Sequence, residues 1–389
     1  MKKKIIFILI IVMSIVLIPT NSISAEDKSE EVKLQEEVDN QLENLDFKDL
    51  ETLMKDDSLF ITDENSFKGI VSDLINGEYN TDTQTVLGNV ANKIFSQIVS
   101  IIPILLIIVV IAILGNIVNS FQPSSNSKAI ADIVHFVCIA VVIVLLVAVM
   151  KNAYSLTTDC VNSMANQMSI IFPILLTMLT AMGSVVTVGI YQPVVAVLTG
   201  GVTAIFKNIV YPIFILAFIF IILNNISSQI KLSKFTSFLG SAFKWIVGFV
   251  FTIFAGLLTI QGISAGKYDT ISLKATRFAM KSYIPIIGGY LSDGLDYVML
   301  SSILIKNAIG VAGLLLLMGT ILVPIINLVV FKLGLQFVAS IVEPMGNSKI
   351  SNFCEDLSKI LVYPIVVILA IAFMYVLSVG LIMCTVSGV

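Results

Sequence analysis

Seven apolar runs, each near the length needed to cross a lipid core, decide the solvent for most of this chain. They lie at about residues 98–118, 130–150, 168–190, 208–223, 243–262, 308–331 and 361–384. A crossing helix needs about 20 predominantly apolar residues. Lipid offers no water to backbone N–H and C=O groups, so such runs close their hydrogen bonds internally, as helices. Three shorter apolar pieces, 193–206, 284–291 and 333–342, fall below a full crossing. They are expected as re-entrant or broken helices, tolerated where protein or a water-filled cavity covers the backbone. The expected fold is all-α: a polytopic integral membrane protein with about six to eight spans, preceded by a small exported helical segment.

Composition agrees with this solvent assignment. Hydrophobic residues make up 57% of the 389 and charged residues only 13%, against roughly 25% charged in soluble domains. The charge is also split along the chain. Of 26 acidic residues, 18 lie between Glu26 and Asp82, and from Ile98 onward basic residues outnumber acidic ones by 14 to 8. A water-facing acidic segment therefore precedes a weakly basic membrane body.

Lys2, Lys3 and Lys4, the apolar run 5–18, Pro19 and small residues up to Ala25 have the parts of a secretory signal peptide. The expected division is a signal peptide over 1–25, an acidic exported helical segment over 26–97 and a multi-span membrane domain over 98–389. Within the exported segment, Leu34, Val38, Leu42 and Leu45 recur at helical spacing, as do Phe67, Ile70, Val71, Leu74 and Ile75. Ser66 is the expected N-cap of the second helix and Gly77 its C-terminal stop. A third amphipathic run, Leu87, Val90, Ile94 and Phe95, leads into the first span.

Enzyme signatures are absent from the sequence: there is no HExxH, P-loop or GxSxG. Cys138, Cys160, Cys354 and Cys384 form no CxxC pair and His135 is the single histidine, so neither a disulfide framework nor a metal site is expected. No catalytic residue and no cofactor is assigned. Asp132 and His135, at i and i+3, read as an interfacial ion pair. Six prolines are each followed by isoleucine, and the pairs Pro173/Pro212 and Pro285/Pro324 share one spacing, a hint of the duplicated units found in transporters.

Two stretches concentrate polar residues against this apolar background. Over 267–281, Lys267, Lys274, Arg277 and Lys281 share one side of a helix, while Tyr268, Ile271, Ala275, Phe278 and Ala279 share the other. Such a helix suits the membrane interface or the wall of an aqueous passage. Pro285, Gly288 and Gly289 follow, a combination expected to break the chain's helix. Next come Asp293 and Asp296, then Ser301, Ser302, Lys306 and Asn307 at the head of an apolar run. Ionisable groups at membrane depth are expensive and often functional, whereas at the interface Asp296 and Lys306 would be solvated.

The run from Arg277 through Lys281, Pro285, Gly288, Gly289 and Asp293 to Ser301, Ser302, Lys306, Asn307 and Gly310 resembles the stage III sporulation protein AE family. The order of parts along the whole chain agrees with it. The resemblance implies a membrane channel or export-platform subunit of the mother-cell-to-forespore sporulation complex, needed for forespore development after engulfment. It implies a place in the mother-cell-derived outer forespore membrane, with the exported segment facing the intermembrane space. It also implies other stage III sporulation membrane and ring-forming proteins as partners, together with a cytoplasmic ATPase. No nucleic acid is expected. The rival readings are a stand-alone secondary transporter and a non-conducting membrane scaffold.

Overall fold

A computed structural model describes residues 28–54, 66–79, 83–120, 127–226, 232–283, 288–346 and 348–385. Among these there is no strand. The expected signal peptide, and Pro285 with its neighbours 284–287, lie outside the described residues. The helices are α1 Lys28–Glu43, α2 Lys48–Met54, α3 Phe67–Asn76, α4 Thr83–Ser120, α5 Ser127–Ala181, α6 Val185–Ala196, α7 Tyr211–Ile226, α8 Ser233–Tyr283, α9 Gly288–Val342, α10 Ser348–Ile360 and α11 Val362–Cys384. Among the described residues six stretches are long and apolar enough to cross a membrane, and the protein is an all-α polytopic membrane protein.

Two pairs of expected elements merge. The runs 130–150 and 168–190 do not form separate crossings: residues 127–181 are one helix of 55 residues. The piece 333–342 is the C-terminal end of the equally long α9. The piece 193–206 is also no re-entrant element. It joins α6 to α7 through two π-helical stretches, Val197–Val202 and Phe206–Val210, as one stretch over Val185–Ile226. The interior prolines Pro103, Pro173, Pro193 and Pro324 interrupt none of these helices. Membrane helices tolerate proline because neighbouring groups satisfy the freed carbonyls; the Pro173 carbonyl accepts from Thr177 Oγ1 at 2.8 Å.

α9 is the axis of the bundle. It runs antiparallel to α5, where Gln167 Nε2 donates to Thr320 Oγ1 at 2.6 Å and Ile171 packs on Gly313. It is antiparallel to α11 too, with Tyr375 beside Gly313 and Met383 beside Gly310. α4 lies parallel to its C-terminal half, Leu105 facing Gly334 and Asn116 facing Gly346. A side chain at Gly313 would reach within 2.9 Å of Ile171 Cδ1, so glycine there allows the helices to close up. The T-shaped pair Phe172–Tyr375, 5.6 Å between centroids, locks α5 to α11.

The acidic segment forms the expected helices. Ser66 Oγ accepts from Gly69 N–H at 3.1 Å, and Gly77, at φ 70°, closes α3 in the left-handed conformation that favours glycine. Val38, Leu42, Phe47, Leu50, Phe67, Ile70 and Val71 are all buried. α1 and α3 pack on α9, and α2 packs on α5 and α3. The segment therefore packs onto one end of the membrane bundle, called here the upper end.

Candidate functional site

The serine–lysine stretch of α9 is where that packing is made. Gln41 points from α1 and Ser301 and Ser302 from α9. Gln41 Nε2 donates to Ser301 Oγ at 2.9 Å, and Ser302 Oγ lies 3.0 Å from Gln41 Oε1. Both serines also hydrogen-bond the Val298 carbonyl one turn back, at 3.0 and 2.7 Å, which is how hydroxyls are carried in apolar helices. Ser301 and Ser302 are 0% exposed.

One turn further along, Lys306 is also 0% exposed. Its ammonium donates to the carbonyls of Met383 at 3.1 Å and Thr385 at 2.7 Å. Those carbonyls belong to the C-terminal end of α11, where the last turn has no helical N–H to satisfy it and carries the negative end of the helix dipole. A cation in this position is both partnered and electrostatically favoured. Thr385 Oγ1 in turn lies 3.4 Å from Tyr191 OH on α6. Lys306 is thus a latch between α9 and the end of the last span, and the solvated alternative expected from sequence is overturned. Asn307 is half-buried, and its Oδ1 is buried without a hydrogen-bond partner.

The basic stretch lies elsewhere. α8 is continuous from Ser233 to Tyr283, so Lys234 and Lys244 stand toward its N-terminal end and Lys267, Lys274, Arg277 and Lys281 toward its C-terminal end. Lys274, Arg277 and Lys281 ride on the C-terminal part of α8. Lys274 is exposed, and so is Phe278 at 71% on the apolar side; the side chains of Arg277 and Lys281 lie outside the described residues. Gly288 and Gly289 begin α9, and Asp293 lies within it, its side chain outside the described residues. Residues 284–287 lie outside the described residues, and the two glycines expected to break the helix stand inside α9. The motif therefore includes a buried part, Ser301 to Lys306, and an exposed residue, Lys274, on another helix.

Gln41, Tyr191 and Thr385 were not singled out by sequence reasoning. Gln41 carried a signal: it is an uncharged polar residue on the Val38–Leu42–Leu45 side of an otherwise acidic helix. Tyr191 and the Met383 and Thr385 carbonyls carried none, because their role depends on which helix ends meet. The side chains of Asp132 and His135 lie outside the described residues. Cys160 and Cys354 are buried fillers, but Cys384 is exposed and Cys138 half-buried. Among the described residues no group of three or more His, Cys, Asp or Glu could hold a metal. A crevice of about 310 Å³ lies between Asn224 and Asn225 and the outer face of α10. Among the charges lining it, Lys359 pairs with Glu355 at 2.9 Å and with Asp356 at 3.2 Å, and Lys349 lines it as well.

The sequence model of the family described as Stage III sporulation protein AE matches residues 65–387. A relative of that description from Bacillus subtilis (strain 168) is 26% identical over 317 residues, which is 80% of this chain and 78% of the relative. No solved structure matches.

Proposed function

This chain belongs to the stage III sporulation protein AE family, and from that premise we propose that it is a channel or export-platform subunit of the mother-cell-to-forespore complex. The observation that carries the sporulation role is the family match across 65–387. The platform reading draws on the shape of the upper end. After the apolar run of α8 ends near Gly262, the helix continues to Tyr283, a further ~30 Å at 1.5 Å per residue. This stretch carries Lys267, Lys274, Arg277 and Lys281, and Lys274 is exposed.

On this reading the upper end faces the intermembrane space and the stretch 224–244 faces the mother-cell cytoplasm, in keeping with the positive charge of Lys231, Lys234 and Lys244. The first 25 residues act as the export signal. The partners are ring-forming and small membrane proteins of the same stage, with a cytoplasmic ATPase supplying energy, and the chain itself performs no catalysis. The transporter alternative gains nothing from the proline spacing: Pro212 stands at the start of α7, whereas Pro324 lies deep inside α9.

The test is a deletion strain complemented with wild type, Arg277→Ala or Gly289→Leu. The deletion should arrest after engulfment, with late forespore gene expression lost and vegetative growth normal. Both variants should insert in the membrane and fail to restore spores. Normal sporulation in the deletion strain would overturn the role, and normal spore yield from both variants would remove the basic stretch and the glycine start from it.

A further inference from the structure

The stretch that joins α6 to α7 buries an apolar stripe whose spacing an ordinary helix cannot keep on one side. Val194, Leu198, Val202, Phe206, Val210 and Phe214 follow one another at intervals of four residues, and none is more than 7% exposed. An α-helix turns about 100° per residue, so each interval of four drifts by about 40°. From Val194 to Phe214 the drift reaches about 200°, enough to carry the stripe to the opposite side of the helix. The two π-helical stretches, Val197–Val202 and Phe206–Val210, cancel it. A π turn closes its hydrogen bond one residue later than an α turn, so each stretch absorbs about 100° and the two absorb the whole drift.

The two stretches have different causes. Just after the lower one stands Pro212, whose ring clashes with the carbonyl four residues back in an ordinary helix. Tyr211 N–H reaches the Phe206 carbonyl, five residues back, the kind of adjustment by which membrane helices accommodate proline. The upper stretch ends at Val202 with no proline to demand it. It holds Gly200 and Gly201 instead, and nothing lies within 4 Å of where a side chain at Gly200 would begin. It also leaves a hydroxyl unpaired: Thr203 is 5% exposed and its Oγ1 is buried with no hydrogen-bond partner. Thr199, by contrast, donates to the Val195 carbonyl four residues back at 2.8 Å. Closing the upper stretch to ordinary helix would offer Thr203 the Thr199 carbonyl in the same way.

Closure turns the chain from Thr203 onward by about 100° relative to α6. A second apolar stripe waits for that register: Ile205, Ile209, Ile213 and Leu216, each one place before the buried Phe206, Val210, Phe214 and Ala217. Ile209 and Leu216 are now 45% and 44% exposed. Exchanging the stripes costs little in a bilayer, because lipid tails are as apolar as the residues turned toward them. Tyr211 opposes the exchange. Its ring is buried and meets Tyr154 edge-on at 5.5 Å, and its OH donates to the Thr157 carbonyl at 3.2 Å.

We propose that Val185–Ile226 is a register switch: the upper π stretch closes, α7 turns by about 100°, and Tyr211 is the lock that holds the open form. The inference rests on spacing, burial and helix geometry and is independent of the sporulation reading.

The test uses the full-length protein in vesicles, with its four native cysteines replaced by alanine. Val210 and Val367 line one small cavity, so Val210→Cys paired with Val367→Cys reports the open register. Ile209→Cys paired with Val367→Cys reports the closed one. Mild oxidation should give a strong disulfide from the first pair and a weaker one from the second. Tyr211→Phe should raise the second several-fold at the expense of the first. Deleting Gly201 removes the residue that the wide turn absorbs, so it should keep the first disulfide and the melting midpoint and abolish the second. No disulfide from the Ile209 pair, even with Tyr211→Phe, would overturn the switch. So would a Gly201 deletion that loses the Val210 disulfide or retains the Ile209 one.

Discussion

Lys274 and Lys306 belong to the upper half of the same bundle, and they behave in opposite ways. Lys274 stands exposed on the C-terminal part of α8. Lys306 is sealed inside and holds the carbonyl end of α11 through two hydrogen bonds. The difference lies in what surrounds each charge. A lysine in water exchanges partners freely and contributes little to stability. A lysine buried against orphan carbonyls becomes part of the fold, because removing either side leaves polar groups with nothing to bond. One is left facing outward, the other keeps the chain's own parts together.

The comparison breaks most sharply at Lys306. Lys306→Met keeps the stem's volume but strands two carbonyls, an expected loss of roughly 2–5 kcal/mol. Unfolding in detergent should show a lower midpoint, and Cys384 should react faster with a thiol reagent as the end of α11 loosens. An unchanged midpoint with unchanged Cys384 reactivity would mean the latch is ornamental.

Gln41→Leu sits in between. It removes the hydrogen bonds to Ser301 and Ser302 at an expected cost of about 1–3 kcal/mol. Limited proteolysis should then release fragments from residues 28–79 while the bundle stays intact. Resistance equal to wild type would show that apolar packing of Val38 and Leu42 alone docks the segment. The smallest stability effect belongs to Lys274→Met, which should leave the melting midpoint unmoved. Its effect should appear only in sporulation assays, so a large drop in midpoint would place Lys274 in a contact within the fold.

Much of the architecture was legible in sequence. Apolar runs of membrane length announced the helices, and Ser66 and Gly77 marked the ends of α3, because caps and periodicity are local properties of neighbouring residues. The merging of 130–150 with 168–190 was not legible. The polar stretch from Lys151 to Gln167 resembles a loop in a hydropathy profile, yet it stays helical because its backbone bonds are satisfied within the helix. Half of the candidate site was legible in the same way. The composition of Ser301, Ser302 and Lys306 against an apolar background flagged them, but their partners lie about 260 residues upstream and 77–79 downstream.

By itself the sequence determined the solvent, the helical class and the split between an acidic segment and an apolar body, since these follow from transfer free energies that each residue carries with it. Only the tertiary structure decided which polar residues became internal latches and which stayed exposed, and which apolar runs packed against one another. Those outcomes depend on the register between helices far apart in the chain, and register is fixed by side-chain packing at their crossings rather than by any residue alone.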